Sequence, residues 1–323
     1  MNMTIRGIIR EASFSNVNVY ACYNGFKGLV EGDILPLTNH DIRGILQHGG
    51  TIIGTERYRD FFEMPYRLKA FKNLVDRGIK GLIVIGGNGS MIGAHLLCHE
   101  TGTPVIGIPA SIDNDIFGTD MSIGVDTALN TIVYNVDKIK DTAGSHGRIF
   151  IVEVMGEACG YLALISAIAS GALFVLIPEL EDSFAPDMFC NIVYKAFRRS
   201  KKHAIIIKAE GFKLYDDKQI FSMISNYMDD RGIEKVSFRS TKLGHIQRGG
   251  SPSAFDRTLA SKMASNAVRY LISGQKDVLV GLHNGDIAPC PLSDVITNNR
   301  NSHIKQLYQE YLQQELMMPE KLA

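Results

Sequence analysis

The sequence predicts an α/β fold with mostly parallel strands and two domains, and three observations support this prediction. Short runs rich in Val and Ile alternate with longer segments of helical periodicity, which is the pattern of parallel strands joined by crossover helices. The 323 residues, 45% of them hydrophobic, are enough for two cores. Because no Pro-rich or Ser-rich linker divides the chain, we expect two domains that share crossing segments.

Strand-like and helix-like segments alternate along the chain. The predicted strands are residues 17–23, 81–85, 104–108, 148–154, 174–178, 203–208, 236–243 and 277–282. The predicted helices are residues 126–140, 159–169, 188–199, 219–230 and 253–273. Before them, apolar residues at positions 5, 8, 9 and 12 recur at helical spacing, so the chain is expected to begin on an amphipathic helix.

Composition excludes several classes of partner. Lys plus Arg and Asp plus Glu both number 34, so no overall charge favours nucleic acid or an anionic membrane, and a small molecule is the expected partner. The 5 cysteines are scattered without a CxxC pair, which predicts reduced thiols and argues against zinc. No stretch approaches the roughly 20 apolar residues of a membrane span, and no secretory signal is visible. We therefore expect a cytoplasmic protein.

Two runs at predicted strand ends carry candidate chemistry. GLIVIGGNGSMIGA (residues 81–94) places glycines between a strand and a helix, where backbone N–H groups favour a phosphate, although tight packing is an equal alternative. GIPASIDND (residues 107–115) puts Asp113 and Asp115 at the carboxyl edge of the same sheet. Two carboxylates there can take a hydroxyl proton and help to hold a metal, but a solvated acidic turn is also compatible and, on these residues alone, favoured.

A third run, LGHIQRGGSPSAFDR (residues 243–257), leads from a strand into a Gly-Gly turn and a helix. His245 and Arg248 beside that turn suit a phosphorylated sugar, since the planar guanidinium is a good anion clamp. A single His or Arg is more often structural. The interpretation of His245 and Arg248 therefore depends on the other runs in the chain.

Five runs follow one another in an order and spacing typical of one enzyme family. They are GGNGS, SIDND, VEVMGEACGYLAL, KKHAIIIKAEG and LGHIQRGGSP. Together they resemble the bacterial ATP-dependent 6-phosphofructokinases, from residue 1 to about residue 299. The resemblance implies two Rossmann-like three-layer domains, a nucleotide-binding one (1–124 plus 247–295) and a sugar-phosphate-binding one (125–246 plus 296–323). It also implies a glycolytic kinase that transfers the γ-phosphoryl group of MgATP to the 1-hydroxyl of fructose 6-phosphate.

The resemblance assigns roles to individual residues. Asp113 is the implied general base, Asp115 its catalytic neighbour, and Ser111 and Arg57 are expected to contact the transferred phosphoryl group. The implied nucleotide contacts are Arg57, Tyr58, Gly87, Asn88, Gly89 and Ser90, with Asn88 at the Mg²⁺ position. The implied sugar-phosphate contacts are Met155, Gly156, Glu210, His245 and Arg248, with Arg148 and Arg239 reaching in from a neighbouring subunit of a homotetramer. The implied contacts to an ADP or phosphoenolpyruvate effector are Arg6, Arg10, Lys140, Arg199 and Lys201.

The sequence also departs from the family pattern. Asn88 replaces a magnesium-binding aspartate, and a neutral amide is a weaker ligand for this hard cation. Glu157 replaces an arginine near the transferred phosphate, and one unit charge at about 4 Å is worth up to roughly 4 kcal/mol there. Ser111 for Thr is a mild change. Gly89 and Ala110 stand where pyrophosphate-using relatives carry an acidic residue and a lysine, so ATP is the expected phosphoryl donor.

Two further departures concern the effector site and the start of the chain. Asn39 and Leu173 replace an expected arginine and an expected acidic residue of the effector site, and the surviving basic residues also suit an ordinary solvated surface. In the family, a strand and a glycine-rich loop precede the helix matched by residues 2–14. Their absence implies a first domain without its first strand, or a start assigned at an internal Met1 or Met3. The alternative function is a catalytically impaired paralogue that binds sugar phosphate as a regulatory or structural subunit.

Overall fold

The computed structural model describes residues 1–198, 203–233, 236–298 and 301–316. By their contacts these residues form two compact units. The first unit comprises Met1–Ile112, Ile116–Thr127 and residues 248–298. The second comprises Asp113–Asp115, Ala128–Gln247 and the last described helix. The chain thus passes between the units several times, as the absence of a linker predicts.

The secondary structure of the described residues alternates between helices and strands, as predicted. The helices are α1 (Asn2–Phe14), α2 (Phe26–Glu31), α3 (Met64–Asp76), α4 (Asn88–Thr101), α5 (Val125–His146), α6 (Tyr161–Ser170), α7 (Pro186–Arg198), α8 (Asp217–Asp229), α9 (Ala254–Ile272), α10 (Leu292–Thr297) and α11 (Asn301–Leu316). The strands are β1 (Val19–Cys22), β2 (Ile34–Leu37), β3 (Leu82–Gly86), β4 (Val105–Pro109), β5 (Arg148–Val154), β6 (Phe174–Leu176), β7 (Ala204–Ala209), β8 (Ser237–Lys242), β9 (Val278–His283) and β10 (Asp286–Pro291). Short 3₁₀ turns cover Arg59–Phe62, Pro178–Ser183 and Gly244–Arg248.

The first unit contains a four-stranded sheet in the order β10-β9-β4-β3. Strand β4 is buried along its whole length and pairs in parallel with β3 and β9. Helices α1 and α9 pack together, and they approach so closely that a Cβ on Gly7 would lie 2.6 Å from the Cβ of Ala264. The apolar face predicted for α1 is confirmed, since Ile5, Ile8 and Ile9 are buried.

Three strands of this unit, β1, β2 and β10, differ from the prediction, in which β2 has no counterpart. The segment predicted as a strand at residues 17–23 forms β1, but it pairs antiparallel with β2 in a separate two-stranded sheet. Strand β10 was not predicted, because Pro289 and Pro291 argue against a strand. It lies at the edge of its sheet and pairs antiparallel with β9, a position where proline is tolerated.

The second unit contains a four-stranded parallel sheet in the order β6-β7-β5-β8. One face of this sheet, including Ile149, Ile151 and Ile206, packs against Phe189 of α7 and Ile224 of α8. These nearly continuous runs of Val and Ile explain why the sequence predicted β5 with its observed ends. Strand β5 lies between two partners, and the carboxyl ends of β5, β7 and β8 therefore meet at one edge.

Helix α3 is an element that the sequence analysis missed. Its buried face includes Arg67, which is 4% exposed and forms an ion pair with Glu100 of α4. The same guanidinium donates a 2.7 Å hydrogen bond to the carbonyl oxygen of Phe61. Because a charged residue lies on the inward face, the apolar period of this helix is broken in the sequence. The short helices α2 and α10 and the C-terminal helix α11 were also not predicted. Among all described residues, no helix is both long and apolar enough to cross a membrane.

Candidate functional site

The turn between β3 and α4 has the geometry of an anion site. Gly87 caps α4, and the first helical turn contains Asn88, Gly89 and Ser90 without an acidic residue or a side-chain cap. A Cβ on Gly86 would collide with the Ser90 side chain, whereas a Cβ on Gly89 would meet no atom within 4 Å. The turn is therefore tight on its inner side and open on its outer side. The first N–H groups of a 14-residue helix lie there, together with the positive end of its dipole.

Ser111 lies beside this turn, at the end of the neighbouring strand. Because β3 and β4 are parallel, the loops that follow them emerge at the same edge of the sheet. The Ala110 N–H donates to the carbonyl oxygen of Gly86 at 2.9 Å, and a Cβ on Gly87 would lie 3.8 Å from the Cβ of Ser111. The Ser111 N–H is held by the Ser122 hydroxyl at 3.0 Å. The structure thus brings Ser111 together with the glycine turn.

Arg57 and Tyr58 lie in the loop before α3, also in the first unit. Arg57 is exposed, and its neighbour Glu56 forms a 3.0 Å ion pair with Lys27. The Tyr58 ring packs edge-on against Tyr66, with ring centroids 6.0 Å apart. The guanidinium of Arg57 is therefore exposed to solvent. Its loop is held by the Glu56–Lys27 ion pair on one side and the Tyr58–Tyr66 ring contact on the other.

Asp113 and Asp115 flank a strained residue. Asn114 between them is fully buried with a φ of 53°, in the left-handed region that Asn tolerates better than most residues. Both carboxylates act electrostatically on Cys159 of the second unit. Burial raises the pKa of the Cys159 thiol to about 12, with further contributions from the nearby charges of Glu179, Asp115 and Asp113. The candidate base thus lies near a buried neutral thiol and a third carboxylate.

The sugar contacts implied by the sequence converge at the carboxyl edge of the second sheet. Met155 and Gly156 follow β5, Glu210 follows β7, and His245 lies exposed in the 3₁₀ turn after β8. The Gly156 N–H donates to Oε1 of Glu210 at 3.2 Å, and the Gly211 N–H donates to the Gly156 carbonyl oxygen at 3.0 Å. Hydrogen bonds therefore fix the loop after β5 to the loop after β7.

Gln247 completes this arrangement, although the sequence analysis did not single it out. Its side chain is 1% exposed, and its Oε1 accepts the Met155 N–H at 3.1 Å. Its Nε2 donates to the Gly244 carbonyl oxygen at 2.9 Å. Gln247 thus links the turn after β8 to the end of β5. Its place between His245 and Arg248 in the motif was the only signal that could have identified it. Arg248 itself is exposed and begins the last segment of the first unit.

A row of charges crosses the sheet beneath these loops. Glu153 of β5 pairs in register with Lys208 of β7 and Lys242 of β8. Its carboxylate lies 3.4 Å from the ammonium of Lys208 and 3.0 Å from that of Lys242. Lys208 is buried and also contacts Asp217 at 2.6 Å. A buried ammonium with two carboxylate partners holds the strand ends in one register, and the sequence analysis did not predict it.

Arg148 and Arg239 lie at the opposite end of the same sheet. Arg148 is the first residue of β5, and Arg239 of β8 pairs with Phe150 near the start of β5. Seven residues of strand separate Arg148 from Met155, about 23 Å at about 3.3 Å per residue. The structure therefore does not bring these two arginines to the sugar contacts of their own chain.

Glu157 combines a fixed backbone with a free side chain. A Cβ on Gly211 would lie 2.7 Å from the carbonyl carbon of Glu157 and 2.8 Å from the Gly156 carbonyl oxygen, so only glycine fits at position 211. The Glu157 residue itself is exposed. Its carboxylate can therefore turn into solvent without moving the loop.

Two of the five residues expected at the effector site share a cavity. The cavity has a volume of about 570 Å³ and is lined by Arg6, Arg10, Asn39, Ile42, Arg43, Gly44 and Leu46. Arg6 and Arg10 lie one turn apart on α1, and Arg43 enters from the loop after β2. Within the described part of the chain, none of the three guanidinium groups forms an ion pair with an acidic residue. Sequence reasoning missed Arg43, because it is distant from Arg6 and Arg10 in the chain.

Of the other expected effector residues, the described one, Lys140, does not line this cavity. The ammonium of Lys140, on α5 of the second unit, contacts the Ser170 carbonyl oxygen and lies 3.5 Å from Asp137. Arg199 and Lys201 lie outside the described residues.

The residues described here do not build a metal cage. No group of three or more His, Cys, Asp or Glu side chains is positioned to hold an ion in this part of the chain. At the start of α4 the side-chain oxygen donors are the neutral amide and hydroxyl of Asn88 and Ser90. This donor set does not fit a resident Mg²⁺ ion, but it does fit an ion that arrives bound to phosphate oxygens.

Comparisons with known proteins agree with this geometry. A phosphofructokinase family model matches residues 1–271. The ATP-dependent 6-phosphofructokinase of Natranaerobius thermophilus is 43% identical over 298 residues, covering 92% of this chain and 90% of the relative. The enzyme of the same name from Aquifex aeolicus is 44% identical over 285 residues, covering 88% of this chain and 87% of the relative.

A solved structure also resembles the chain over nearly its whole length. Phosphofructokinase from Pichia pastoris superposes with a TM-score of 0.85 at 34% identity and covers 99% of this chain. This chain spans 36% of that longer protein. With the family model, the curated relatives and the fold in agreement, the chain belongs to the phosphofructokinase family.

Proposed function

We propose that the chain is an ATP-dependent 6-phosphofructokinase. In this proposal the first unit binds the nucleotide and the second binds fructose 6-phosphate. The observation that carries it is the hydrogen-bonded edge of the second sheet, where Met155, Gly156 and Glu210 are held in one arrangement with His245 exposed nearby. The names of the relatives support the same reaction.

The turn before α4 is the proposed site of the nucleotide phosphates. Its N–H groups and helix dipole favour an anion, and the open space outside Gly89 lets a phosphate approach the backbone. Asn88 would supply a neutral oxygen to a Mg²⁺ ion bound to the phosphates of ATP. The metal would neutralise phosphate charge. Gly89 and Ala110 stand where pyrophosphate-using relatives carry an acidic residue and a lysine, which supports ATP as the phosphoryl donor.

Proton transfer is assigned to Asp113. Its carboxylate takes the proton of the sugar 1-hydroxyl while that oxygen attacks the γ-phosphorus of ATP, and ADP leaves. Asp115 keeps the local field negative, which favours removal of the proton. Ser111 and Arg57 are assigned to the transferred phosphoryl group, the hydroxyl as a hydrogen-bond donor and the guanidinium as a cation. Catalysis of this kind depends on position and charge more than on covalent chemistry.

A catalytically impaired subunit is the second candidate. Two observations favour it: the donor set at α4 lacks a carboxylate, and Glu157 places an acid in the loop that contacts the sugar. The exposure of Glu157 weakens this case, because the carboxylate can point away from an incoming phosphate.

Arg148 and Arg239 support an oligomer. Arg148 lies about 23 Å from Met155 along β5, and Arg239 pairs with Phe150, five residues or about 17 Å before Met155. We therefore assign both arginines to the sugar-phosphate site of another subunit. A homotetramer in which each subunit lends both arginines to a neighbour satisfies this geometry.

The cavity at α1 is the proposed effector site. Three guanidinium groups without a carboxylate partner repel one another, and a phosphorylated or carboxylated ligand would relieve this repulsion. Arg43 supplies a positive charge in place of the expected arginine that Asn39 replaces. ADP or phosphoenolpyruvate fits this chemistry.

We also propose that the enzyme works in the cytosol. All five cysteines are free thiols, and burial raises the pKa of Cys22 and Cys190 to about 11. Such thiols remain protonated and unreactive at neutral pH.

Asp113→Asn tests the reaction itself. In a coupled assay for fructose 1,6-bisphosphate with MgATP, the wild-type chain is expected to be active and the variant about 100-fold slower or worse, because a general base is lost. Asp76→Asn, at an exposed helix end, is the matched control and should keep full activity. An inactive wild-type chain that still binds fructose 6-phosphate in calorimetry would establish the impaired subunit instead.

Glu157→Arg tests the charge in the sugar loop. Restoring a cation is expected to raise kcat at least about tenfold, because one charge near the transferred phosphate is worth several kcal/mol. Asn88→Asp should lower the Mg²⁺ concentration needed for half-maximal rate. Asp229→Arg makes the same charge change on the exposed side of α8 and should leave kcat unchanged. If Glu157→Arg behaves like this control, the loop charge does not limit the reaction.

Arg148→Ala and His245→Ala test the shared site. Each variant alone should lose affinity for fructose 6-phosphate. When the two chains are refolded together, about one quarter of the sites regain both intact residues, provided that each site draws on two subunits. Recovery of about that fraction of wild-type activity is therefore expected. No recovery in hybrids of proven mixed composition would place Arg148 within a single-chain site.

Arg43→Ser tests the effector cavity. Binding of ADP or phosphoenolpyruvate, measured by calorimetry with the active site saturated by fructose 6-phosphate, should weaken about tenfold because one charge-assisted contact is lost. Arg59→Ser, an exposed arginine of the same unit outside the cavity, is the control. Equal affinity in both variants would rule out Arg43 as an anion contact.

A further inference from the structure

Glu179 is a partly buried acid that the proposed reaction does not use. It lies in the 3₁₀ turn Pro178–Ser183 after β6. Its Oε1 accepts the backbone N–H of Gly160 at 2.8 Å. Gly160 immediately precedes α6, a ten-residue helix whose N-cap has no side-chain hydrogen bond of its own. Glu179 therefore supplies, from another element, the acceptor and the negative charge that a helix start favours.

Within the part of the chain that the structure describes, the other carboxylate oxygen of Glu179, Oε2, lacks the hydrogen bond that a buried polar atom normally forms. Oε2 of Glu179 is buried, and no hydrogen-bond partner for it exists among the described residues. Burial raises the pKa of this carboxyl group, and the N–H of Gly160 opposes that effect. A neutral side chain would avoid this desolvation cost. An acid retained at this cost indicates a role beyond filling space.

Glu179 also packs tightly against the segment that it holds. A Cβ on Gly160 would lie 2.7 Å from Oε2 of Glu179 and would collide with the Ile177 side chain. The turn after β6 and the start of α6 thus leave each other no room to shift. Movement of Gly160 requires loss of the Glu179 contact.

The held segment, residues 155–160, leads directly from the sugar contacts to α6. Gln247 and Glu210 fix its first two residues through the N–H groups of Met155 and Gly156. Glu179 fixes its last residue. Between these ends, residues 157 and 158 are exposed, and the backbone of Glu157 lies against Gly211.

We propose that Glu179 is a positioning residue of the sugar-phosphate site, which holds the far end of segment 155–160 so that Met155 and Gly156 meet the sugar in a fixed geometry. The inference rests on the proposed function. In this role Glu179 acts through its hydrogen bond to Gly160.

The test compares Glu179→Ala and Glu179→Gln. Glu179→Ala removes one of the hydrogen bonds that fix the segment, so it should raise the KM for fructose 6-phosphate about tenfold. The kcat and the KM for MgATP should stay within about threefold of wild type. Glu179→Gln keeps an acceptor oxygen for the Gly160 N–H and should restore the KM to within about twofold of wild type. Asp182→Ala, an exposed acid of the same turn, is the control and should match wild type.

The proposal fails if Glu179→Ala leaves the KM for fructose 6-phosphate unchanged, or if Glu179→Gln does not rescue it. It also fails if both KM values and the melting temperature change together in Glu179→Ala, because that result indicates general damage to the fold. Calorimetric titration of fructose 6-phosphate into the same variants separates this inference from the reaction. An inactive wild-type chain would overturn the kinase, whereas the ratio of sugar affinities would still decide the role of Glu179.

Discussion

The parallel pairing of β5 with β7 on one side and β8 on the other is the constraint on which the second unit depends. Each ladder aligns six residue pairs along β5. A slip by one residue would exchange the side chains on the two faces of the sheet and remove Ile149 and Ile151 from the apolar cluster around Phe189, so these buried residues fix the register. The ion pairs of Glu153 with Lys208 and Lys242 reinforce it near the carboxyl ends. Once the register is set, the three loops that follow must meet.

Within this register, the two ends of one sheet are suited to different tasks. The carboxyl edge carries loops joined by hydrogen bonds from backbone N–H groups to the side chains of Gln247 and Glu210, and these bonds define the shape of the proposed sugar site. The amino edge carries the guanidinium charges of the half-buried Arg148 and the exposed Arg239. Because the strands between the two edges are rigid, the loops at the carboxyl edge and the two arginines at the amino edge of one chain cannot bind the same ligand. In the proposed shared site, the fold therefore couples ligand binding to assembly.

The sequence predicted those elements whose apolar residues follow an unbroken strand or helix pattern. Strand β5 was found with its observed ends because its Val and Ile run is buried on both faces, whereas α3 was missed because Arg67 lies on its buried face. The site motifs singled out Asp113 and His245 as candidates, since their residue types point to chemistry. Gln247 and Arg43 were missed, because their roles arise only when distant parts of the chain come together. No local pattern encodes such contacts.

Glu157 shows how this enzyme can change its chemistry without changing its fold. Its main chain is confined by Gly211, yet its side chain makes no contribution to the core. Substitutions at such a position carry almost no stability cost, so selection can alter the charge there without first acquiring compensating mutations elsewhere. A family built on this loop can therefore drift between stronger and weaker catalysts by single codon changes. Gly211 cannot be substituted in this way, because any side chain there would collide with the backbone of Gly156 and Glu157.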